Sequence, residues 1–279
     1  SFAESKWGGR AGRAGPPPAA GRSFAGRAFN AHSFVRRALL AERLWKRPVA
    51  GLAHALLLGG AVVAIVGHAS FALSFVGVDV YAGWFGTVVM RWARELAGLA
   101  MLSGAAFFLL RRLGRLPRLV EGGERKGFVA MEVLLLLTVV AGFVAEAFRL
   151  ATLPAAPAGE FVGSALAAGL AGLDAASLAW GETLMWWGHG LLGVSFIALI
   201  AYTPLSHMLL GPANSALARP RPGIQLAPID FDADEDSLRL GATRLSELPR
   251  KSLLDLSACL GCGRCQEVCP AAQTGKALS

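Results

Sequence analysis

Long apolar runs separated by short polar and basic segments organise this chain. Four of the runs are long enough to cross the roughly 30 Å hydrocarbon core of a lipid bilayer as α-helices. They lie at about 49–76, 89–111, 127–150 and 184–211. A fifth run, about 160–178, is rich in Ala and Gly and is interrupted by Asp174. The pattern predicts an all-α membrane protein with a bundle of four transmembrane helices and a weaker fifth candidate.

Lys and Arg residues indicate how these helices cross the membrane. They cluster before the first run, after the second and after the fourth, whereas residues 77–88 and 151–183 contain none. Because positively charged loops stay on the cytoplasmic side, four crossings with both termini in the cytoplasm satisfy every cluster. A fifth crossing would place the cysteines of the C-terminal tail on the outer side of the membrane. We therefore expect residues 160–178 to form an interfacial or re-entrant helix at the outer face.

Composition agrees with a protein that is embedded in a lipid bilayer. Hydrophobic residues make up 54% of the chain and charged residues only 16%, which is more apolar than an average soluble domain. The formal charge is +8. Because the basic residues sit in blocks beside the apolar runs, this charge reflects membrane topology, and no nucleic-acid partner is expected.

Composition also divides the chain into four parts. Residues 1–35 are rich in Arg, Gly, Ala and Pro without an apolar period, which is typical of a disordered basic tail. The transmembrane helical domain is expected at 36–212, and a solvated linker with an acidic run at 213–248. Residues 249–279 are expected to begin a ferredoxin-like domain. Since the chain stops soon after its last cysteine, we expect that domain to be truncated.

Four of the five histidines lie in two apolar runs, where a polar side chain is costly and indicates a function. His54 and His68 lie 14 residues apart in the first run, and His189 and His207 lie 18 residues apart in the last. On an α-helix each spacing puts both residues on one face, roughly 21 Å and 27 Å apart along the axis. In antiparallel helices, His54 then meets His207 near the cytoplasm, and His68 meets His189 near the outer face.

Each histidine pair can supply two axial nitrogens to the iron of one b-type haem. Because both axial positions are filled, such a haem favours electron transfer over oxygen chemistry. The alternative is that these histidines form hydrogen bonds between helices or lie in the headgroup zone. The remaining histidine, His32, is expected to be solvated. Two haem b groups are therefore the predicted cofactors within the membrane.

Charged side chains flank the outer ends of the second and third runs. Arg94 and Arg149 are candidate contacts for haem propionates, and Glu146 is a candidate proton carrier when a quinone is reduced or oxidised. The alternative is that these side chains only extend their charged ends to the membrane interface, which is the interpretation we accept for Arg91.

One short motif contains all the cysteines, which are Cys259, Cys262, Cys265 and Cys269. With the following proline, their spacing is C-x2-C-x2-C-x3-C-P, the pattern of bacterial [4Fe–4S] ferredoxins. Zinc is the alternative, but zinc sites usually combine two separated cysteine pairs or include histidine, and no His is nearby. Either the fourth cysteine closes this single cluster, or it binds a second cluster whose motif lies beyond Ser279 or on a partner. We favour the second arrangement.

Two segments of the membrane region carry a resemblance to a known family. GFVAEAFRLA (142–151) and WWGHGLLGVSFIALIAYTPLSHM (186–208) resemble the gamma subunit of respiratory nitrate reductase and its relatives, including the membrane subunit of methanogen heterodisulfide reductase. The resemblance covers about 49–212. It implies that the four histidines of the apolar runs bind two haems b, and that the protein exchanges electrons with a quinone.

The tail resembles the iron–sulfur region of fused proteins related to heterodisulfide reductase. LAPID, from Leu226, and the later LLDLSACLGCGRCQEVCPAAQTGKALS are similar to the bacterial electron-transfer-flavoprotein:menaquinone oxidoreductases, although a second ferredoxin motif is missing here. The resemblance implies electron transfer in a bacterial inner membrane, from a soluble donor such as reduced electron-transfer flavoprotein to menaquinone or ubiquinone. The alternatives are an anchor of a heterodisulfide-, sulfite- or nitrate-reductase-type complex and a non-redox membrane anchor or scaffold.

Overall fold

The structure, a computed structural model, describes residues 29–42, 44–81, 83–114, 125–218, 244–259, 265 and 268–276. Within these ranges all regular structure is helical, as predicted. The α-helices are α1 (Ala31–Phe34), α2 (Pro48–Ser74), α3 (Arg91–Leu113), α4 (Arg125–Ala151), α5 (Phe161–Ala168), α6 (Ala175–Ile200), α7 (His207–Ala216), α8 (Arg250–Ser257) and α9 (Pro270–Gln273). π-Helical segments follow α1 (Val35–Leu39) and lead into α3 (Phe85–Met90).

In the part of the chain that the structure describes, four helices are long and apolar enough to cross a membrane: Pro48–Ser74, Phe85–Leu113, Lys126–Ala151 and Ala175–Ile200. Local chemistry explains where two of them begin. Pro48 lies in the first turn of α2, where a proline N–H would have no intrahelical partner. Asp174 caps α6 by accepting a hydrogen bond from the backbone N–H of Ser177 at 2.9 Å. The number of candidate crossings agrees with the prediction.

The fourth crossing differs from its predicted bounds of 184–211. It begins at Ala175 and ends at Ile200, and the 3-10 turn Pro204–Ser206 separates it from α7, which begins at His207. Pro204 has no N–H with which to continue the helix, and it disfavours the helical conformation of the residue before it. His189 and His207 therefore lie on different helices, and the prediction that they share one helical face is wrong.

The fifth apolar run is not one helix. Its first part forms α5, which has only eight residues and is about 12 Å long, too short to span the bilayer core. Residues 169–174 form turns, and residues 175–178 already belong to α6. The run therefore supplies a short helix between two crossings and the start of the fourth crossing. Its predicted lack of a crossing is confirmed, whereas its predicted continuity over 160–178 is wrong.

The chain divides into two compact units, and each is described by itself. The larger unit comprises Ala41–Ser206 together with Leu260–Ser279. In it α2 packs on α3, α3 on α4, and α4 on both α5 and α6. Glycines allow α2 and α3 to approach closely, since a Cβ on Gly104 would lie 2.6 Å from the carbonyl oxygen of Ala53. This is the small-residue packing that membrane helices use.

A buried ion pair joins α3 and α4 at one end of the larger unit. Arg112 donates from Nε to Oε1 of Glu132 at 2.8 Å, and its guanidinium lies 3.7 Å from the centre of the Phe128 ring. Glu132 is 8% exposed, and its Oε2 is buried without a hydrogen-bond partner among the described residues. Because Arg112 balances this carboxylate, the pair helps to hold the two helices in register.

The smaller unit comprises Ser1–Leu40 and His207–Cys259. Its described helices are α1, α7 and α8, with α7 in contact with both of the others. Asn30 donates from its backbone N–H to the carbonyl of Ala216 at 2.8 Å and from Nδ2 to that of Ala218 at 3.1 Å, which satisfies the C-terminal end of α7. Lys251 of α8 donates to the side chain of Asn214 on α7.

Two predicted domain bounds change with this unit. Residues 31–39 are helical, although we expected a disordered tail up to residue 35. The physical reason is that the side chain of Asn30 caps α1 and that Asn30 itself bonds to α7. Helix α7 extends to Ala216, four residues into the predicted linker at 213–248. Residues 1–28 and 219–243 lie outside the described part of the chain.

Candidate functional site

Two of the four candidate ligands face each other between α2 and α6. Nε2 of His68 lies 3.4 Å from Nε2 of His189, and the ring centroids are 5.7 Å apart with an angle of 23° between the ring planes. Because the centroids are 2.3 Å farther apart than the nitrogens, each Nε2 lies on the side of its ring that faces the other ring. The two imidazoles therefore point at each other end to end.

The second nitrogen of each ring is held by a backbone carbonyl. His68 Nδ1 lies 2.7 Å from the oxygen of Ala64, and His189 Nδ1 lies 2.9 Å from that of Thr138. A carbonyl oxygen only accepts, so each Nδ1 carries a proton, and Nε2 of a ring without a second proton presents a lone pair. Two facing lone pairs repel unless a cation or a shared proton lies between them. Metal-binding histidines commonly donate their other N–H in this way.

A flat iron-bound macrocycle would need space between α2 and α6 at this pair. Among the described residues, α2 and α6 share no extended packing, although each packs on a neighbouring helix. A Cβ added at Gly188 or Gly190 of α6 would meet nothing within 4 Å. Two imidazole nitrogens on opposite sides of one metal ion, each about 2.0 Å from it, are about 4 Å apart. The observed 3.4 Å is within a small adjustment of that separation.

Gly142 of α4 explains why the His189 ring lies where it does. A Cβ at this position would lie 3.1 Å from Cε1 and 3.2 Å from Nδ1 of the ring. The missing side chain lets the imidazole rest on the backbone of α4, where it reaches the carbonyl of Thr138 one turn away. Sequence reasoning missed Gly142, and a glycine four residues after Thr138 in an apolar helix was the only signal for it.

The structure does not test the second histidine pair. His54 lies in the second turn of α2 in the larger unit, and His207 is the first residue of α7 in the smaller unit; both are half-buried. Their predicted pairing remains a prediction. His32, in α1, is exposed as expected, and its Nε2 lies 3.2 Å from Nη1 of Arg36.

Three arginines from two helices converge on one buried carboxylate close to His68. Glu160 is 3% exposed, and its Oε2 lies 2.7 Å from Nη2 of Arg149. Its Oε1 lies 3.7 Å from both Nε of Arg91 and Nη2 of Arg94. Two of these arginines are the predicted propionate contacts, and the structure brings them together. Sequence reasoning gave Arg91 and Glu160 no role, although charged groups at membrane depth usually require partners.

A second carboxylate fastens α5 to the bundle. Glu95 of α3 is 2% exposed, and its Oε2 accepts a hydrogen bond from the backbone N–H of Val162 at 2.9 Å. The first N–H groups of a helix have no intrahelical partners, so this carboxylate satisfies the start of α5. Glu146 lies close by, because a Cβ on Gly163 of α5 would lie 2.7 Å from its Cγ. Its Oε1 is 3.8 Å from Nη2 of Arg149.

An open pocket of about 200 Å³ adjoins this cluster, and its wall includes Phe71, Tyr81, Arg91, Arg94, Arg149 and Glu160. Two of its residues contact Gly67, which precedes His68 in α2. Tyr81 donates its hydroxyl to the carbonyl of Gly67, the residue before His68, at 2.7 Å. The aliphatic part of Arg94 also packs at Gly67, where a Cβ would lie 3.3 Å from Cδ of the arginine. The pocket can therefore receive an anionic or hydrogen-bonding group close to His68.

Three of the four cysteines belong to the described residues. Cys259 follows α8 and is exposed, Cys265 is exposed, and Cys269 precedes α9 and is half-buried. None of the three forms a disulfide. Cys262 lies outside the described residues, so the structure does not show the predicted four-thiolate set. No group of three metal-binding side chains is assembled within the described ranges.

Comparison with known proteins supports the iron–sulfur assignment. The family model of a 4Fe-4S binding domain matches residues 250–271, which include all four cysteines. This confirms the prediction of a [4Fe–4S] segment at the C-terminal end. The model does not extend to the helices that carry the histidines.

The curated relatives that the chain matches are much longer than the chain itself. The chain is 37% identical over 120 residues to the probable iron-sulfur-binding oxidoreductase FadF of Bacillus subtilis, a match that covers 43% of this chain and 17% of that protein. It is 26% identical over 258 residues to the EtfAB:quinone oxidoreductase of Syntrophomonas wolfei, covering 85% and 34%. It is 29% identical over 196 residues to a probable membrane-anchored ferredoxin of Chromohalobacter salexigens, covering 68% and 27%.

These matches cover only part of each relative. The chain spans about a third or less of the length of each relative. Its similarity to them supports electron transfer through an iron–sulfur cluster in a membrane protein. No solved structure matches the chain.

Proposed function

We propose that this chain is the membrane-embedded part of a quinone-linked iron–sulfur oxidoreductase. It passes electrons between a cytoplasmic donor and a quinone through a [4Fe–4S] cluster and two b haems. The observation that carries the proposal is the pair His68 and His189, whose Nε2 atoms face each other at 3.4 Å while both Nδ1 atoms are held by carbonyls. That arrangement suits two axial ligands of one iron.

The histidines are the ligands of this proposal. His68 and His189 hold the outer haem, and His54 and His207 hold the inner haem. A haem with two histidine ligands has no open coordination position, and it supplies one-electron transfer. The backbone carbonyls of Ala64 and Thr138 fix the orientation of the outer ligands and raise their basicity.

Charged residues of the neighbouring pocket complete the outer site. Arg94 and Arg149 are assigned to the propionate carboxylates of the outer haem, because both line the same pocket and Arg94 packs against Gly67, the residue before His68. Glu146 is assigned to proton exchange with a quinone, since its carboxyl group lies beside Arg149 and near the buried Glu95. A charge-assisted hydrogen bond between a guanidinium and a propionate carboxylate is stronger than a neutral hydrogen bond.

The cluster, the donor and the topology follow from the tail and its relatives. Cys259, Cys262, Cys265 and Cys269 hold the cluster on the cytoplasmic side of a bacterial inner membrane. Similarity to an EtfAB:quinone oxidoreductase supports reduced electron-transfer flavoprotein as the donor and menaquinone or ubiquinone as the acceptor. Since the chain covers 34% of that relative, the remaining part of the protein would supply further cofactors, including a second cluster.

Single histidine substitutions test the haem assignment. We expect the purified protein to show the α band of a low-spin b haem in a dithionite-reduced minus oxidised spectrum. His68→Ala and His189→Ala should each remove the same haem and leave the other, because each removes one of its two ligands. His32→Ala is the matched control, since His32 is exposed in α1. A spectrum without the α band, or loss of both haems in every single variant, contradicts the assignment.

The donor is tested separately in proteoliposomes that contain menaquinone. Reduced electron-transfer flavoprotein should reduce the haems of the full-length protein. Substitution of Cys262 by serine should stop that reduction but leave the dithionite-reducible haems in place, because only the cluster is lost. Haem reduction by the flavoprotein at an unchanged rate in this variant would refute the proposed order of cofactors.

A further inference from the structure

We propose that Glu160 is a positioning residue of the outer redox site, and that it sets the charge next to His68 by holding three arginines around the pocket. This inference rests on the proposed outer haem and deepens it. It assigns a role to a residue that has no histidine, cysteine or propionate contact of its own, and it explains why three cations are gathered at one point of a membrane bundle.

The contacts of Glu160 use both carboxylate oxygens. Arg149 of α4 lies at 2.7 Å from Oε2, while Arg91 and Arg94 of α3 lie at 3.7 Å from Oε1. Without this carboxylate, three guanidiniums would face one another with like charge. With it, the three arginines share one centre, and Glu146, whose Oε1 lies 3.8 Å from Nη2 of Arg149, is a second carboxylate at the edge of this cluster. Each arginine remains partly exposed and forms part of the pocket wall.

Backbone contacts on both sides of Glu160 hold this residue against α3. Gly159 has φ +100°, a conformation that favours glycine, and a Cβ there would lie 2.9 Å from the indole of Trp92. On the other side, the carboxylate of Glu95 accepts the N–H of Val162 at 2.9 Å, which holds the start of α5 against α3. Glu160 is therefore clamped between two contacts with α3, and its side chain is 3% exposed.

The arginines connect Glu160 to the segment that carries the proposed histidine ligand. Arg94 packs against Gly67 and lies over the ring of Tyr81 at 5.5 Å, and Tyr81 donates to the carbonyl of Gly67. The charge cluster thus lies next to the residue that precedes His68. The positive charge of the arginines attracts a carboxylate ligand, and the partial exposure of their side chains screens part of that attraction. Glu160 offsets one of these positive charges.

The substitution Glu160→Gln tests the charge effect with little change of shape. Reduction adds negative charge to the haem, so removal of a nearby carboxylate charge should stabilise the reduced form. We expect the midpoint potential of the outer haem to rise in a redox titration followed by optical spectroscopy, with the inner haem unchanged. The variant Arg91→Gln should shift the same midpoint in the opposite direction, because it removes a positive charge from the same cluster.

Glu182→Gln is the matched control, because Glu182 lies near the start of α6 and forms no ion pair among the described residues. It should leave both midpoints unchanged. Selective loss of the outer haem in Glu160→Gln also supports the positioning role. The inference is overturned if Glu160→Gln and Arg91→Gln shift the outer midpoint in the same direction, if neither shifts it, or if both haems are lost together. Unsubstituted protein without haem would instead refute the proposed function.

Discussion

Replacing Gly142 by alanine places a methyl group against the imidazole of His189. The new Cβ would lie 3.1 Å from Cε1 and 3.2 Å from Nδ1, whereas ordinary contacts begin at 3.4 Å. The ring must therefore retreat by a few tenths of an ångström, or α4 and α6 must separate. Either change lengthens the 2.9 Å contact between Nδ1 and the carbonyl of Thr138. The substitution thus acts on the orientation of a proposed ligand without touching its metal-binding nitrogen.

The size of the effect follows from opposing contributions. Overpacking costs about 1 to 3 kcal/mol, while Gly→Ala in a helix gains about 1 kcal/mol. We therefore expect a net destabilisation of about 0 to 2 kcal/mol, with the bundle still folded. The hydrogen bond to the ligand is the more sensitive quantity, because loss of such a support commonly lowers metal affinity about 10- to 100-fold.

The assay combines haem content with a redox titration of the purified protein. In Gly142→Ala the outer haem should be partly lost, or its midpoint potential should rise, since a weaker Nδ1 hydrogen bond makes His189 a less basic ligand. Gly59→Ala is the control, because a Cβ on Gly59 of α2 would meet nothing within 4 Å. If both variants retain the outer haem with the unsubstituted midpoint, then contact with α4 does not orient His189.

Three further substitutions test the framework around the site. Arg112→Met should destabilise the protein by about 3 to 5 kcal/mol, because it leaves the Glu132 carboxylate buried and unpaired. The additional change Glu132→Leu should restore most of the lost stability, as measured by thermal unfolding. Lys251→Met removes the bonds to Asn214 and Asp255, so the amides of α8 should exchange faster with solvent. Lys276→Met is the control, because Lys276 is exposed, and it should leave this exchange unchanged. Hydrogen bonds from the amide and hydroxyl of Ser177 lower the pKa of Asp174 below its usual 3.8, so its cap on α6 is fully formed above that pH and is lost as pH falls through the lowered value. The first-turn amides of α6 should then exchange faster in acid, and Asp174→Ala should show the faster exchange already at neutral pH. If the hydrogen exchange of these amides is unchanged both in acid and in the variant, then Asp174 does not cap α6.

The number of candidate crossings and the cysteine motif were predictable because both depend on local properties of the chain. The number of crossings follows from the length of the apolar runs and from the cost of moving basic residues across a bilayer. The iron–sulfur motif lies within eleven residues, Cys259 to Cys269, so its spacing alone indicated the cluster, and the family model agrees. The fourth crossing was misplaced because apolar composition continues past Ile200, and Pro204 ends the helix within that composition.

Only the tertiary structure decided which groups meet across helices. Helical spacing put His68 on one face of α2, but it could not show that the carbonyls of Ala64 and Thr138 fix the two facing rings. It also could not show that Glu160 collects arginines from α3 and α4. The physical reason is that sequence periodicity defines a face of one helix, whereas ion pairs and ligand orientation depend on the distance and rotation between helices. Those quantities arise from packing contacts, such as that of Gly142 with His189, between residues distant in the chain.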